Sequence, residues 1–161
     1  MPVAHKPEGY TAVTPWIISR DTAGLLAWMA EAFGAEEIGR FVGPDGSIGH
    51  AETRVGDAIV MAFDAPPDWA PTPAFLRLYV EDAHAVHAAA VEAGGVSVTE
   101  VTHLFFGDLV GRVRDPFGNL WWIQTHIEDV TEEEVARRLS DPVFTEAMAY
   151  VQGARIVEGD A

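Results

Sequence analysis

Ile17-Ile18-Ser19-Arg20-Asp21 is a short apolar run that ends in aspartate, and Leu78-Tyr79-Val80-Glu81-Asp82 repeats it 61 residues later. A helix-period stretch follows each run and stops at glycine, Gly34 in the first instance and Gly94-Gly95 in the second. Gly56-Asp57-Ala58-Ile59-Val60-Met61 then finds its match in Gly118-Asn119-Leu120-Trp121-Trp122 at nearly the same offset. A duplicated unit of this length, with strand-like runs around one helix, predicts two half-shells closing on a shared cavity. Such a cavity is where a ligand would sit.

Working outward, Thr11 to Ile18 reads as a strand rich in β-branched residues. Asp21 is a good N-cap for a helix to about Phe33, whose Leu25, Trp28, Met29, Ala32 and Phe33 share one face. Gly34 is its expected stop. Strands are predicted at Glu37 to Val42, Ser47 to Val55 and Ala58 to Phe63, with turn chemistry at Gly43-Pro44-Asp45-Gly46. In the second of these, Ala51, Thr53 and Val55 alternate with His50, Glu52 and Arg54. The Pro-rich residues 65–73 read as a linker.

The second half repeats the order. Ala74 to Val80 is a strand, Asp82 caps a helix to about Ala93, and strands follow at Val96 to Val101, Asp108 to Arg114 and Leu120 to Thr125. Each half is therefore β-α-β-β-β. The domain plan is a single domain over residues 1–161: a first module at 10–64, the linker at 65–73, a second module at 74–127 and a helical extension at 128–161. In that extension Thr131-Glu132-Glu133-Glu134 is a capping box, and Asp141-Pro142 opens a helix with proline at its first position. These helices have no counterpart in the first half and are expected over a sheet edge or against a partner subunit.

With 161 residues, 48% of them hydrophobic, the chain can bury a real core. No apolar run approaches the ~18 residues of a membrane span, and Met1-Pro2-Val3-Ala4-His5-Lys6 lacks a signal-peptide core. Cysteine is absent, which removes disulfides, thiol nucleophiles and thiolate metal sites. A cytoplasmic protein is the simplest reading. A net charge of −15 repels phosphate backbones and argues against nucleic acid as a partner. The acidic run at 127–134 is either a solvated helix start or part of a field attracting a cationic ligand.

Several motifs fall in order along residues 7 to about 140. They are Pro7-Glu8-Gly9-Tyr10, Ala32-Phe33-Gly34-Ala35-Glu36-Glu37, Gly43-Pro44-Asp45-Gly46, His50-Ala51-Glu52 and Leu78-Tyr79-Val80-Glu81-Asp82. Phe106-Gly107-Asp108, Arg114-Asp115-Pro116-Phe117-Gly118-Asn119 and Thr125-His126-Ile127-Glu128-Asp129-Val130 complete the set. With the doubled β-α-β-β-β pattern, the chain resembles the vicinal-oxygen-chelate superfamily of glyoxalases, bleomycin-binding proteins and extradiol dioxygenases, and most closely its PhnB-like, glyoxalase-like branch. The resemblance implies an α+β fold: two tandem βαβββ modules forming a curved mixed β-sheet half-barrel around a cavity, plus the C-terminal helices. It also implies a small-molecule ligand and a homodimer.

Metal-dependent members of that superfamily place ligands on the first and last strands of each half. By motif alignment those positions hold Thr14, Met61, Phe75 and Trp122, which lack the imidazole or carboxylate a divalent ion needs. No metal and no other cofactor is therefore expected. Strand parity puts Trp16, Ile18, Ile59, Met61 and Phe63 on the concave face of the first half. Phe75, Arg77, Tyr79, Trp122 and Gln124 take that face in the second, with Arg112 and Phe106 as further binding candidates. Ile17, Val60, Leu76, Leu78, Val80, Trp121 and Ile123 face the helices instead. The concave aromatics either fill the cavity themselves or enclose a ligand.

His50 and Glu52 are the candidate acid/base pair, one strand pitch apart on one face, and they serve equally as a structural pair, with Arg54 a further bonding partner. Arg114 reads as a turn clamp. Arg77 and Arg112 call for Glu52 or an anionic ligand group as partner. His84 and His87 read as a solvated helix face, His103 as part of an irregular segment, His5 as part of an N-terminal arm, and His126 as locally bonded to Glu128 or Asp129. Two functions fit. One is metal-independent binding of a hydrophobic or cationic molecule. The other is catalysis, by a metal-free isomerase, lyase or cyclase using His50 and Glu52, or by a metal-dependent lyase or dioxygenase with displaced ligands.

Overall fold

The computed structural model describes residues 3–155. Backbone proximity divides the chain into two compact units, Met1–Ala74 and Phe75–Ala161. The first holds β1 (Trp16–Ser19), α1 (Thr22–Phe33), β2 (Glu36–Val42), β3 (Ile48–Val55) and β4 (Ala58–Asp64). Its open four-stranded sheet runs β1-β4-β3-β2, with β1 parallel to β4 and the other pairs antiparallel. The second repeats this with β5 (Phe75–Tyr79), α2 (Ala83–Glu92), β6 (Val96–Leu104), β7 (Asp108–Arg114) and β8 (Leu120–His126), in the order β5-β8-β7-β6. It then adds α3 (Glu132–Arg138) and α4 (Pro142–Gly153).

Local signals place the helices. The Asp21 side chain accepts from Gly24 N at 2.8 Å, and Gly34 ends α1 at φ 65°, a left-handed conformation that favours glycine. Leu25, Leu26, Met29 and Ala32 of α1 are buried, as are Ile17, Ala51, Thr53, Val55, Val60 and Ala62, which the strand registers put on one sheet face. Each large aliphatic side chain buried in this way contributes about 1.5–3 kcal/mol. The two strand ends bound the same helix start, since Asp64 accepts from both Thr22 N at 2.8 Å and Ile48 N at 2.7 Å.

Three sequence expectations need correction. The first strand starts at Trp16 rather than Thr11, because Pro15 has no N–H to donate and only its carbonyl joins the sheet, accepting from Met61 N at 2.9 Å. The strand from Val96 continues to Leu104, so His103 lies on β6 and its Nε2 reaches Glu128 at 3.0 Å. His87 is no solvated residue. It is buried with Ala83 and Ala90 on the sheet side of α2, its Nε2 3.1 Å from the Thr99 carbonyl. Room for the imidazole comes from Gly111, where a Cβ would stand 2.7 Å from His87 Cδ2.

The Pro-rich residues 65–73 belong to the first unit. Ala65 N donates to Ser19 O at 2.7 Å and Thr72 N to Ile18 O at 3.0 Å, while Arg20 bonds the carbonyls of Pro66 and Trp69. At the other end of the chain, Thr131 caps α3 and Asp141 caps α4, with proline at the first helical position. Phe144, Met148 and Val151 of α4 turn inward, and Val151 and Met148 pack with Leu104, Val110 and Trp122. Of the two places expected for these helices, a sheet edge or a partner subunit, α4 thus takes the protein's own second sheet, while its Val143 is exposed. Arg138 holds α3 in place through two bonds to Glu128, at 2.6 and 2.8 Å, with its guanidinium 4.8 Å from the Phe144 ring.

Candidate functional site

In the first unit, the parallel register Trp16↔Met61 and Ile18↔Phe63 and the antiparallel register Glu52↔Met61 bring Trp16, Met61, Phe63, His50 and Glu52 onto one face. The Trp16 ring lies 5.6 Å from His50 and 5.5 Å from Phe63, and Trp69 extends the cluster 6.4 Å beyond Phe63. His50 Nε2 and Glu52 Oε1 are 2.9 Å apart. Tyr10 also bonds Glu52; this bond and then the one from His50 hold the Glu52 carboxyl below its usual range, while the same contact raises the Tyr10 phenol. Ile59 shares the face by register but is only 2% exposed, so it presents almost no surface.

In the second unit, the registers Arg77↔Trp122, Tyr79↔Gln124, Arg112↔Trp122 and Val110↔Gln124 align Phe75, Arg77, Tyr79, Arg112, Trp122 and Gln124 on one face. The neighbouring Trp121 and Ile123 are buried on the other. Trp122 is the centre of this arrangement. The Phe75 ring is 5.6 Å away, and the guanidinium groups of Arg77 and Arg112 lie 5.1 and 4.8 Å from the indole centroid. Where α4 crosses this face, a cavity of about 420 Å³ remains, lined by Arg77, Leu104, Phe106, Arg112, Trp122, Met148, Val151, Gln152 and Ala154. Met148, Val151 and Gln152 had no place in the sequence-derived site. The helix that carries them was legible from Asp141-Pro142, but nothing local said which surface it covers.

Arg112 is 2% exposed and is engaged by the helix above it: Nε donates to Thr99 Oγ1 at 3.2 Å and Nη2 to the Val151 carbonyl in the last turn of α4. A guanidinium at a helix C-terminus complements the carbonyl end of the helix dipole. Desolvation, opposed by the field of Tyr150, moves its pKa below the ordinary arginine value.

Tyr79 and Gln124 sit at the other end of the face, in a polar chain. Gln124 Nε2 donates to Asp108 and, at 3.4 Å, to the Tyr79 hydroxyl. Asp108 Oδ1 is 2.6 Å from His126 Nδ1, whose Nε2 is 3.1 Å from Asp129. The bonds to Asp108 and then Asp129 raise the His126 pKa. The expected local link to Asp129 is present, whereas Glu128 turns to Arg138 and His103. Asp108 was legible only as part of a motif, since its partners lie one strand away.

The family model described as Glyoxalase/Bleomycin resistance protein/Dioxygenase superfamily matches residues 10–123. An uncharacterized protein of Mycobacterium tuberculosis is 31% identical over 155 residues, which cover 85% of this chain and 91% of the relative. Among solved structures, TioX from Micromonospora sp. ML1 superposes with a TM-score of 0.59 at 24% identity, covering 73% of this chain and 98% of its own. Protein PA1353 from Pseudomonas aeruginosa gives 0.63 at 19% identity over 73% of this chain and 99% of its own. At these identities the two structures share the fold.

Proposed function

Because the chain belongs to the glyoxalase/bleomycin resistance protein/dioxygenase superfamily, we propose that it binds a small organic molecule, without a metal ion, in the cavity beneath α4. The observation that carries this reading is the cavity itself. Its volume of about 420 Å³ falls in the range of small-molecule pockets, and Trp122, Phe106, Leu104 and Met148 give it the apolar lining such pockets have.

Metal independence is supported by the donor chemistry. By motif alignment, Thr14, Met61, Phe75 and Trp122 fall at the positions where metal-dependent relatives carry ligands. A thioether suits only soft ions, and a phenyl or an indole offers a divalent ion no usable lone pair. The residues do not fit the group. The motifs around Phe33-Gly34-Ala35 and His50-Ala51-Glu52 support our proposal of the PhnB-like branch, and we further propose that the protein acts in the cytoplasm as a homodimer.

A second reading, metal-free isomerase, lyase or cyclase chemistry, is favoured by one specific feature. The 2.9 Å His50–Glu52 contact, backed by Tyr10 and faced by Trp16, is a built acid/base pair.

Native mass spectrometry of freshly purified protein tests the binding reading and its metal independence together. A retained organic mass on a metal-free dimer is the expected result. Stoichiometric Zn²⁺, Ni²⁺, Mn²⁺ or Fe²⁺ that survives desalting would overturn the metal-free reading.

A further inference from the structure

Among the described residues, the lining of the cavity under α4 contains two arginines and neither aspartate nor glutamate. That is opposite to the molecule as a whole, where 25 acidic side chains outnumber 10 lysines and arginines. We propose that this cavity takes an organic anion, with a flat apolar body against Trp122 and a carboxylate toward Arg77. The inference rests on the binding reading above and specifies the ligand class for the same site.

Three observations converge on it. Arg77 touches the Trp122 ring, yet among the described residues its guanidinium forms no hydrogen bond or ion pair. Five N–H donors in a planar fork, held against an aromatic face and left unspent, match a carboxylate bidentately. Among the described residues, Arg112 is buried without a carboxylate, its partners being Thr99, a backbone carbonyl and the same indole. Its positive charge is therefore not neutralised within the lining. Finally, Trp122 Nε1 is buried and has no acceptor among the described residues. A buried donor without a partner is costly, and a ligand oxygen supplies the acceptor the lining lacks.

A cationic ligand would face two guanidinium groups at close range. A neutral one would leave Arg77 unused. The acidic exterior does not contradict an anion site, because charges more than about one Debye length away, ~8 Å at physiological salt, are largely screened.

Calorimetric titration with naphthoate, naphthamide and naphthylmethylammonium tests this, since the three share a ring system and differ in charge. Naphthoate is expected to bind at least about tenfold tighter than naphthamide, as charge-assisted hydrogen bonds imply, and to weaken with added salt. Arg77→Met, at an exposed position on the edge strand β5, is expected to erase that preference, bringing naphthoate down to the affinity of naphthamide for the same variant. Trp122→Phe, which keeps a ring and removes the N–H, should selectively weaken naphthoate. Equal binding of naphthoate and naphthamide, or a preference for naphthylmethylammonium, overturns the anion inference and leaves the binding reading standing. A naphthoate preference that survives Arg77→Met also overturns it, because the anion is then held elsewhere. If none of the probes binds at millimolar concentration, the binding reading falls, and this inference with it.

Discussion

Replacing Asp115 by asparagine probes what orients the strand that carries Trp122. The carboxylate sits in the turn before β8 and accepts four hydrogen bonds: Oδ1 from Phe117 N and Asn119 N, both at 2.9 Å, and Oδ2 from Asn119 Nδ2 at 2.7 Å and Trp121 Nε1 at 2.9 Å. An asparagine keeps the first pair through its carbonyl oxygen. Its amide nitrogen then stands where Oδ2 was, donor against donor, facing both Asn119 and Trp121. Each buried bond lost in this way costs about 1–3 kcal/mol. Asn119 can turn its amide over and accept from the new N–H; the indole has no such option. Burial already raises the Asp115 carboxyl above its ordinary range, against the opposing bonds from Trp121, Asn119 and Phe117, so a neutral side chain recovers some desolvation energy. With only the indole bond lost and part of its cost offset, the expected net loss is about 1–2 kcal/mol. With a urea slope of about 2 kcal/mol/M, the unfolding midpoint by circular dichroism should fall by roughly 0.5–1 M. A shift below about 0.25 M would mean that β8 is held by its ladder alone and that this reasoning about the turn is wrong.

Other expected outcomes follow from single contacts. Ending the chain after Thr131 uncovers Leu104, Val110 and Trp122 and takes the Val151 carbonyl from Arg112, so stability should drop by about 5 kcal/mol or more; an unchanged melting temperature would show that α4 is not packed there. Gly111→Ala should cost about 1–3 kcal/mol, because its Cβ would meet His87 and Val101 at 2.7 and 2.8 Å. Combining it with His87→Ala should cost less than the sum of the two, and strict additivity in a double-mutant cycle would refute the contact. His126 binds its proton more tightly in the folded protein, owing to Asp108 and then Asp129. That contribution is complete below the unfolded value, about pH 6.5, and disappears as pH rises through the elevated folded value. Wild type should therefore exceed His126→Gln in stability at about pH 5.5 and lose the advantage by about pH 9, whereas a pH-independent difference would exclude this link.

The helices were legible because their signals are local. Asp21, Asp82 and Asp141-Pro142 each act on the backbone within three residues, and Gly34 answers the conformation of its own turn. Strand faces were legible for a related reason: period two carries Trp122 and Trp121 to opposite sides whatever else happens. What escaped was decided across the fold. His87 looks like a surface histidine until Gly111, 24 residues on, leaves room for its ring. Within the protein, the acceptors of Arg112 are Thr99 Oγ1 and the Val151 backbone carbonyl, and no side-chain pattern announces the second of these. Asp141-Pro142 announced the helix that carries Phe144 and Met148 and gave no clue to the surface they cover. The strand expected from Thr11 failed for a local reason that was available, the proline at position 15.

Strand β2 has an outer edge without a neighbour in its sheet, and Ile38, Phe41 and Val42 on it are exposed. On a flat ribbon that combination invites templated stacking of one molecule on the next. The pairing of β2 with β3 is interrupted twice, between Glu37 and Gly39 and between Phe41 and Val42. Each interruption throws the comb of N–H and C=O groups out of phase, so an incoming strand can match only a few residues before its own comb misses. A molecule guarded in this way can keep an aromatic side chain such as Phe41 in water, and stay dispersed when concentrated, without covering the edge.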